Sequence, residues 1–294
     1  MSIKAESIKA ALAAYEIERD CIDKMRDYFN ETEFSKAVEI LAAAPRIAAS
    51  GCGHSGIICR HFAHLMCCIE RPARFISPAE AVARLYLAMK DKADGRALDA
   101  ISVKCVDGIT KLGFNPCLAQ SLLADKDLSV ICECDAYGLV TSIILSTVTG
   151  HTSAFVEHYE VFDNEVLVGV CGFIPKDFAD GDMEIKSANL GEYNTGISNV
   201  SRLKCGEVTF GRFHYTDGKF KLFLSKGKTK PSPKWTELGW EEPTPDFPAV
   251  LLETGMNMDE YIDKVPGQHI IMVYGDYVKD IETVCDLLDI EIVR

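Results

Sequence analysis

Two features are missing from this 294-residue sequence: a CxxC pair and an apolar run long enough to cross a bilayer. Without a CxxC pair, the sequence does not indicate a structural zinc site. Twelve cysteines are present, but adjacent thiols such as Cys67 and Cys68 do not have the spacing of a disulfide framework. The longest apolar stretches, such as 139–148, are well short of the roughly 20 residues that a membrane helix needs. We therefore predict reduced cysteines and no membrane span.

Positive charge is also scarce. The chain has 31 Lys and Arg residues against 44 Asp and Glu residues, which gives a net charge of −13. An acidic surface repels nucleic acid and anionic membranes, so neither is expected as a partner. The one cationic stretch, from Lys219 to Lys234, is interpreted as a solvated hairpin. The N-terminal sequence is charged and lacks the apolar centre of a signal peptide, which predicts a cytoplasmic protein.

Hydrophobic patterning predicts an α/β protein in three parts. Residues 1–84 are mostly helical, with a short strand before a glycine-rich turn. Residues 85–160 alternate between strands and helices, which is typical of helices covering a parallel sheet. Residues 161–294 contain short strands separated by turns, and they predict a mostly β domain with a terminal helix.

Individual elements follow from the same patterns. Apolar spacing predicts helices over 8–29 and 33–44, and strands are predicted at 98–106 and 128–134. Asp217-Gly218 between two apolar runs predicts a β-hairpin.

The segment from Gly51 to Gly56 reads GCGHSG and lies between a predicted strand and a predicted helix. Glycines at this spacing let the backbone approach a phosphate at a helix N-terminus. A dinucleotide-binding fold places an acid at the end of the next strand, but here that strand ends in Ser77, so NAD is disfavoured. The alternative is that the glycines only allow a helix to pack closely.

The same segment, with Ser77-Pro-Ala-Glu80, resembles the SIS (sugar isomerase) domain of arabinose-5-phosphate isomerases. The resemblance covers about half of such a domain, and it implies phosphosugar binding around the turn. His54 replaces the lysine that the family has there, and the later catalytic residues of the family have no counterpart. SIS-type catalysis is therefore not expected. The implied sugar-phosphate residues are Ser50, Gly51, Gly53, His54, Ser55 and Ser77.

A second motif, CECDAYG, places Glu133 and Asp135 at the carboxyl end of a predicted buried strand. Open α/β sheets bind ligands at this edge. A buried acid is costly unless a cation or a hydrogen-bond network neutralises it. Asp135 also fits a cap of the following helix.

Several motifs in order resemble the metal-dependent L-fucose/L-arabinose isomerase family over about residues 85–294. The resemblance implies that Glu133, Glu157 and His269 bind a divalent ion, Mn²⁺ being expected for two carboxylates and one imidazole. It also implies aldose–ketose isomerisation of a small sugar through an ene-diol, with Glu133 and Glu157 moving protons, in a homo-oligomer. The motifs are KCVD at 104–107, NPCLAQSLL at 115–123, CECDAYG at 132–138, LSTVTG at 145–150, GEVTFGR at 206–212, GQH at 267–269 and YGD at 274–276.

Other interpretations stay open. Glu157 also fits a surface glutamate beside His158, and His269 fits a core histidine bonded to backbone. Val170 replaces the histidine of the family's His-Cys-Gly turn, and the family's first domain and the front half of its second have no counterpart. The alternative function is therefore a non-catalytic sugar or phosphosugar binder. Under either function, the chain joins two incomplete sugar modules near residues 82–91.

Overall fold

The computed structural model mixes helices and strands, and it confirms the predicted α/β class with a β-rich C-terminal region. By backbone proximity the chain forms two compact units. The first combines Met1–Ala49 with Ile57–Phe75, and the second combines Ser50–Gly56 with Ile76–Arg294. The three-part division inferred from the sequence stays a prediction. The structure describes residues 3–51, 53–112, 115–187, 196–240 and 247–294.

The N-terminal region is mostly helical, as predicted. Asn30 caps the second helix, because its side chain accepts a hydrogen bond from the Glu33 amide. The two strands pair in parallel, with Ile47 opposite Ala73. The elements are α1 (Ile3–Met25), α2 (Glu31–Ala43), β1 (Ile47–Ala49), α3 (Gly53–Cys68) and β2 (Ala73–Phe75).

An α/β layer follows. Its elements are α4 (Pro78–Arg96), β3 (Ala100–Val103), α5 (Cys105–Leu112), α6 (Cys117–Leu123), β4 (Ser129–Cys132) and α7 (Ala136–Thr149). Strands β3 and β4 pair in parallel, which confirms the predicted layered arrangement. The first strand is shorter than predicted because Cys105 begins α5, and its four residues are half-buried, although the apolar run 98–106 suggests a buried strand. The second ends at Cys132 because Glu133 and Cys134 leave the extended conformation, with φ of 60° and 55°.

The rest of the chain, in its described part, is a β-barrel with a separate two-stranded sheet and two α-helices. Its elements are β5 (Ala154–Val161), β6 (Val166–Gly169), β7 (Ile185–Ser187), β8 (Ile197–Asn199), β9 (Glu207–Thr216), β10 (Lys219–Pro231), β11 (Ala249–Glu253), α8 (Met258–Lys264), β12 (His269–Tyr274), α9 (Val278–Leu287) and β13 (Glu291–Val293).

Pairing closes the barrel. The strands run in the order β11-β6-β5-β12-β9-β10, and β10 also pairs with β11, so the ring has no free edge apart from the added β13. Asp217 and Gly218 have φ of 52° and 76° between β9 and β10, which confirms the predicted hairpin.

The core lies inside the barrel and beneath α7. Val156, Phe210 and Ile270, on three neighbouring strands, are fully buried and belong to one apolar cluster. Apolar burial of this kind is the main stabilising contribution to a fold. Across the described ranges, none of the helices combines the length and apolarity required to span a bilayer.

Candidate metal centre

Three predicted ligands converge at the edge of the barrel. One ligand atom each from Glu133, Glu157 and His269 lies within 4.8 Å of the others, and the Nε2 atom of His269 is 3.5 Å from a Glu133 carboxylate oxygen. The three residues come from distant parts of the sequence: Glu157 and His269 lie on paired strands of the barrel, and Glu133 follows β4 of the α/β layer.

Strand register positions Glu157 and His269. The two residues are direct partners in the antiparallel β5–β12 pair, so their side chains share one face of the sheet. Phe155, two residues earlier on β5, packs its ring 4.3 Å from the imidazole centroid. This contact holds the ring of His269 against an apolar surface.

A strained turn positions Glu133. It and Cys134 both have positive φ directly after β4, a conformation that costs a non-glycine residue about 1–2 kcal/mol. Such strain persists only where the surrounding structure holds it, and it clusters at functional sites. The turn ends at Asp135, whose carboxylate accepts a 3.0 Å hydrogen bond from the Gly138 amide and caps α7.

Asp135 also does more than cap the helix. Its Oδ2 atom lies 3.0 Å from Nδ1 of His269, and its carboxylate accepts two hydrogen bonds from Arg212, at 2.5 and 3.1 Å. Arg212 also donates to the backbone carbonyl of His269 at 3.1 Å. The three side chains form a nearly buried network in which the carboxylate fixes the imidazole ring, an arrangement common behind metal-binding histidines.

The pKa values of two acids of the site are shifted in opposite directions. Burial alone raises the pKa of Asp135, but the hydrogen bonds from His269 and Arg212 outweigh it and hold this pKa well below its usual range. Burial, and next the negative charge of Glu133, raise the pKa of Glu157. Two acids that face each other need a cation to be ionised together.

His269 shows that the site suits a cation. With Nδ1 bonded to Asp135, the Nε2 atom is buried and has no hydrogen-bond partner among the described residues. It points into the cluster with Glu133 and Glu157, so one imidazole nitrogen and two carboxylates offer the donors that a hard or borderline divalent ion prefers. This position of Nε2 beside two acids favours a ligand role over that of a core histidine bonded to backbone.

Sequence reasoning missed Arg212 and Phe155 as parts of the site. In the sequence, Arg212 stood out only as part of a family motif. An arginine inside the apolar run of β9, however, already indicates a buried charge. A buried guanidinium needs an acidic partner, and Asp135 at the edge of the sheet was available.

The glycine-rich turn gives a different result. Ser50, His54 and Ser55 are exposed, and the Ser77 hydroxyl accepts a 3.1 Å hydrogen bond from the Glu80 amide as the cap of α4. Gly51 is buried, and a Cβ atom there would lie 2.9 Å from the backbone carbon of Ser55.

Gly53 begins α3. The contact of Gly51 supports the close-packing interpretation of the turn. Phosphosugar binding by these six residues stays a prediction.

Comparison with known proteins agrees with the barrel. Residues 172–294 match the family model "L-fucose isomerase, C-terminal domain". The chain is similar to the sulfoquinovose isomerase of Alkalicoccus urumqiensis, with 23% identity over 224 residues, which cover 72% of this chain and 48% of that protein. The sulfoquinovose isomerase of Priestia aryabhattai is 23% identical over 211 residues, which cover 69% of this chain and 45% of that protein.

The chain is thus similar to fucose isomerase over its C-terminal part and to sugar isomerases over most of its length. The chain spans about half of the length of the curated relatives it matches. The SIS resemblance of the N-terminal region stays a prediction.

Proposed function

We propose that this protein is a metal-dependent aldose–ketose isomerase acting on a small sugar. The observation that carries the proposal is the convergence of Glu133, Glu157 and the unpaired Nε2 of His269 within 4.8 Å. The similarity to sugar isomerases supports the same reaction class.

The chain's own residues account for binding and proton transfer. Glu133, Glu157 and His269 hold the ion, while Asp135 and Arg212 orient the imidazole. When bound, a divalent ion such as Mn²⁺ polarises the substrate oxygens and stabilises negative charge that develops on them. One of the two glutamates takes the proton from C2 of the open-chain aldose, which gives an ene-diol once the C1 oxygen is protonated. The other assists delivery of a proton to C1 as the C2 hydroxyl becomes the ketone.

The substrate is proposed to be an aldose, in a homo-oligomeric and cytoplasmic enzyme. Two named sugars deserve testing first: L-fucose, from the matching family model, and sulfoquinovose, from the names of the relatives.

A non-catalytic sugar or phosphosugar binder is the second candidate. It is favoured by Val170, which stands where the family has a histidine. Such a binder retains the fold and the sugar surface without turnover.

Metal analysis combined with an aldose panel separates the two. We expect freshly purified protein to contain about one divalent ion per chain, to lose it to a chelator, and to convert at least one aldose into its ketose. In heavy water the ketose should carry deuterium on C1, because the proton taken from C2 exchanges with solvent before a proton is delivered to C1. Glu157→Gln should lose both the ion and turnover, whereas the matched control Glu160→Gln, at an exposed position of the same strand β5, should keep both.

Stoichiometric metal without turnover on any aldose would favour the binder. Turnover that survives complete removal of the metal would contradict the proposed mechanism.

A further inference from the structure

The first helix of the chain displays an apolar stripe to solvent. Every residue from Glu6 to Ile40 is exposed, and Leu12 and Tyr15 in the middle of α1 are each 62% exposed. Of the described residues in the first compact unit, the buried ones are Ala49 and Ala63. A helix is stabilised in proteins mainly by packing of its apolar face. When that face is left exposed, contacts with the rest of the chain add little to the stability of the helix.

The stripe has heptad spacing. Ile8, Leu12, Tyr15 and Ile22 recur at intervals of four, three and seven residues along α1. These are the a and d positions of a two-helix coiled coil, with Arg19 at the remaining a position. Ile17 is equally exposed, at 64%, but faces away from the stripe.

We propose that α1 is a homotypic docking helix: its stripe pairs in antiparallel orientation with the same stripe of a second copy of this chain. In a closed two-fold dimer the same patch serves both subunits, so a self-complementary helix needs no other partner.

Charges along α1 favour this occupant and this orientation. Lys9 and Glu16 occupy successive e positions, which face each other across an antiparallel pair when Leu12 packs on Tyr15 of the second copy. The two-fold axis forms this opposite-charge contact twice. A parallel pair would instead place Glu18 against Asp23 of the partner helix, twice, as a like-charge contact. Antiparallel helices also align their dipoles favourably.

The apolar area that the stripe could bury is large enough for a dimer interface. The four stripe residues and Met25 are each more than half exposed, so pairing removes on the order of 500 Å² per copy from water. The total, on the order of 1,000 Å², is where specific interfaces begin.

Sedimentation velocity on the full chain tests the proposal. We expect the wild type to sediment with an even subunit number, and Leu12→Asp/Tyr15→Asp to sediment with half of it, because the dimer dissociation constant rises more than about a hundredfold. The control Ile17→Asp should sediment like the wild type, since it adds a negative charge on the opposite face. Far-UV circular dichroism on each variant shows that α1 is still helical.

Charge-reversal variants test the antiparallel orientation of the two helices. Lys9→Glu should weaken the dimer about tenfold, because it turns two attractive contacts into repulsive ones. Lys9→Glu/Glu16→Lys should restore it. A wild-type chain that sediments as a monomer at every concentration, or a stripe variant with unchanged subunit number, would overturn the proposal. A Lys9→Glu variant of undiminished affinity would overturn the antiparallel orientation.

Discussion

The two compact units differ in what they do with their apolar side chains. In the second unit, Phe210 and Ile270 are fully buried inside a closed barrel. In the first, Leu12 and Phe34 lie within the stretch from Glu6 to Ile40, in which every residue is exposed. Both regions are rich in apolar residues with clear periodicity, so composition does not explain the contrast.

The two units differ because the strands of the second form a closed barrel, whereas the described helices of the first do not enclose a core. Strands of the barrel satisfy each other's backbone groups in a ring and enclose a shared interior. Helices α1 and α2 satisfy their backbone groups internally and still need a partner for their faces. Periodicity therefore predicts an element, whereas the partner of an element depends on contacts that the local sequence does not specify.

The largest expected effect concerns the metal centre of the second unit. On the proposed function, Glu133→Gln should lower isomerisation by more than about a thousandfold, because it removes a metal ligand and a proton-transfer group together. Initial rates with the best aldose of the panel, and metal content by elemental analysis, measure the effect.

Glu160→Gln is the matched control, since it makes the same change at an exposed position of β5. Full metal content and wild-type turnover in Glu133→Gln would contradict the assignment of this residue.

The second effect compares packing in the two units. Phe210→Ala should lower the free energy of unfolding of the second unit by about 3–5 kcal/mol, as expected for a fully buried aromatic. Phe34→Ala, at a position that is 56% exposed, should cost less than about 1 kcal/mol. Urea titration followed by tryptophan fluorescence reports the second unit, because Trp235 and Trp240 both lie there, and circular dichroism reports the helices of both.

Equal losses from the two substitutions would mean that α2 is packed in solution against a surface that covers Phe34. That result would remove the contrast between the units.

The third effect tests the support behind His269. Asp135→Asn should weaken binding of Mn²⁺ by about 10–100-fold, because the neutral amide no longer raises the basicity of the imidazole. Asparagine still caps a helix, so α7 should persist. The change also leaves Arg212 without its charged partner, so calorimetric titration is done at a temperature where circular dichroism shows a native fold.

Asp163→Asn, an exposed change of the same chemistry, should bind Mn²⁺ like the wild type. Undiminished Mn²⁺ affinity in Asp135→Asn would show that the carboxylate serves only as a helix cap.

Part of this site could be predicted from sequence, because Glu133 follows a recognisable buried strand, whereas Glu157 and His269 were implied by the resemblance to the isomerase family. The strand before Glu133 and the late motif with His269 were both found. What could not be predicted is the alignment of Glu157 with His269, because strand register depends on how the barrel closes. The network through Arg212 was missed for a related reason: Asp135 was interpreted from its neighbours along the chain, whereas its main partners are 77 and 134 residues away.

The smallest expected effects concern glycines of the second unit. Gly51→Ala should destabilise the fold by about 1–3 kcal/mol, because the new Cβ meets the backbone of Ser55, and backbone atoms cannot rotate away as a side chain can. Gly95→Ala is the control: it lies in α4 with nothing within 4 Å, and alanine there should stabilise by about 0.5–1 kcal/mol. Thermal unfolding should therefore show shifts of opposite sign. If Gly51→Ala leaves stability unchanged but weakens binding of a sugar phosphate, close packing is the wrong explanation of this glycine, and the turn becomes a second ligand site.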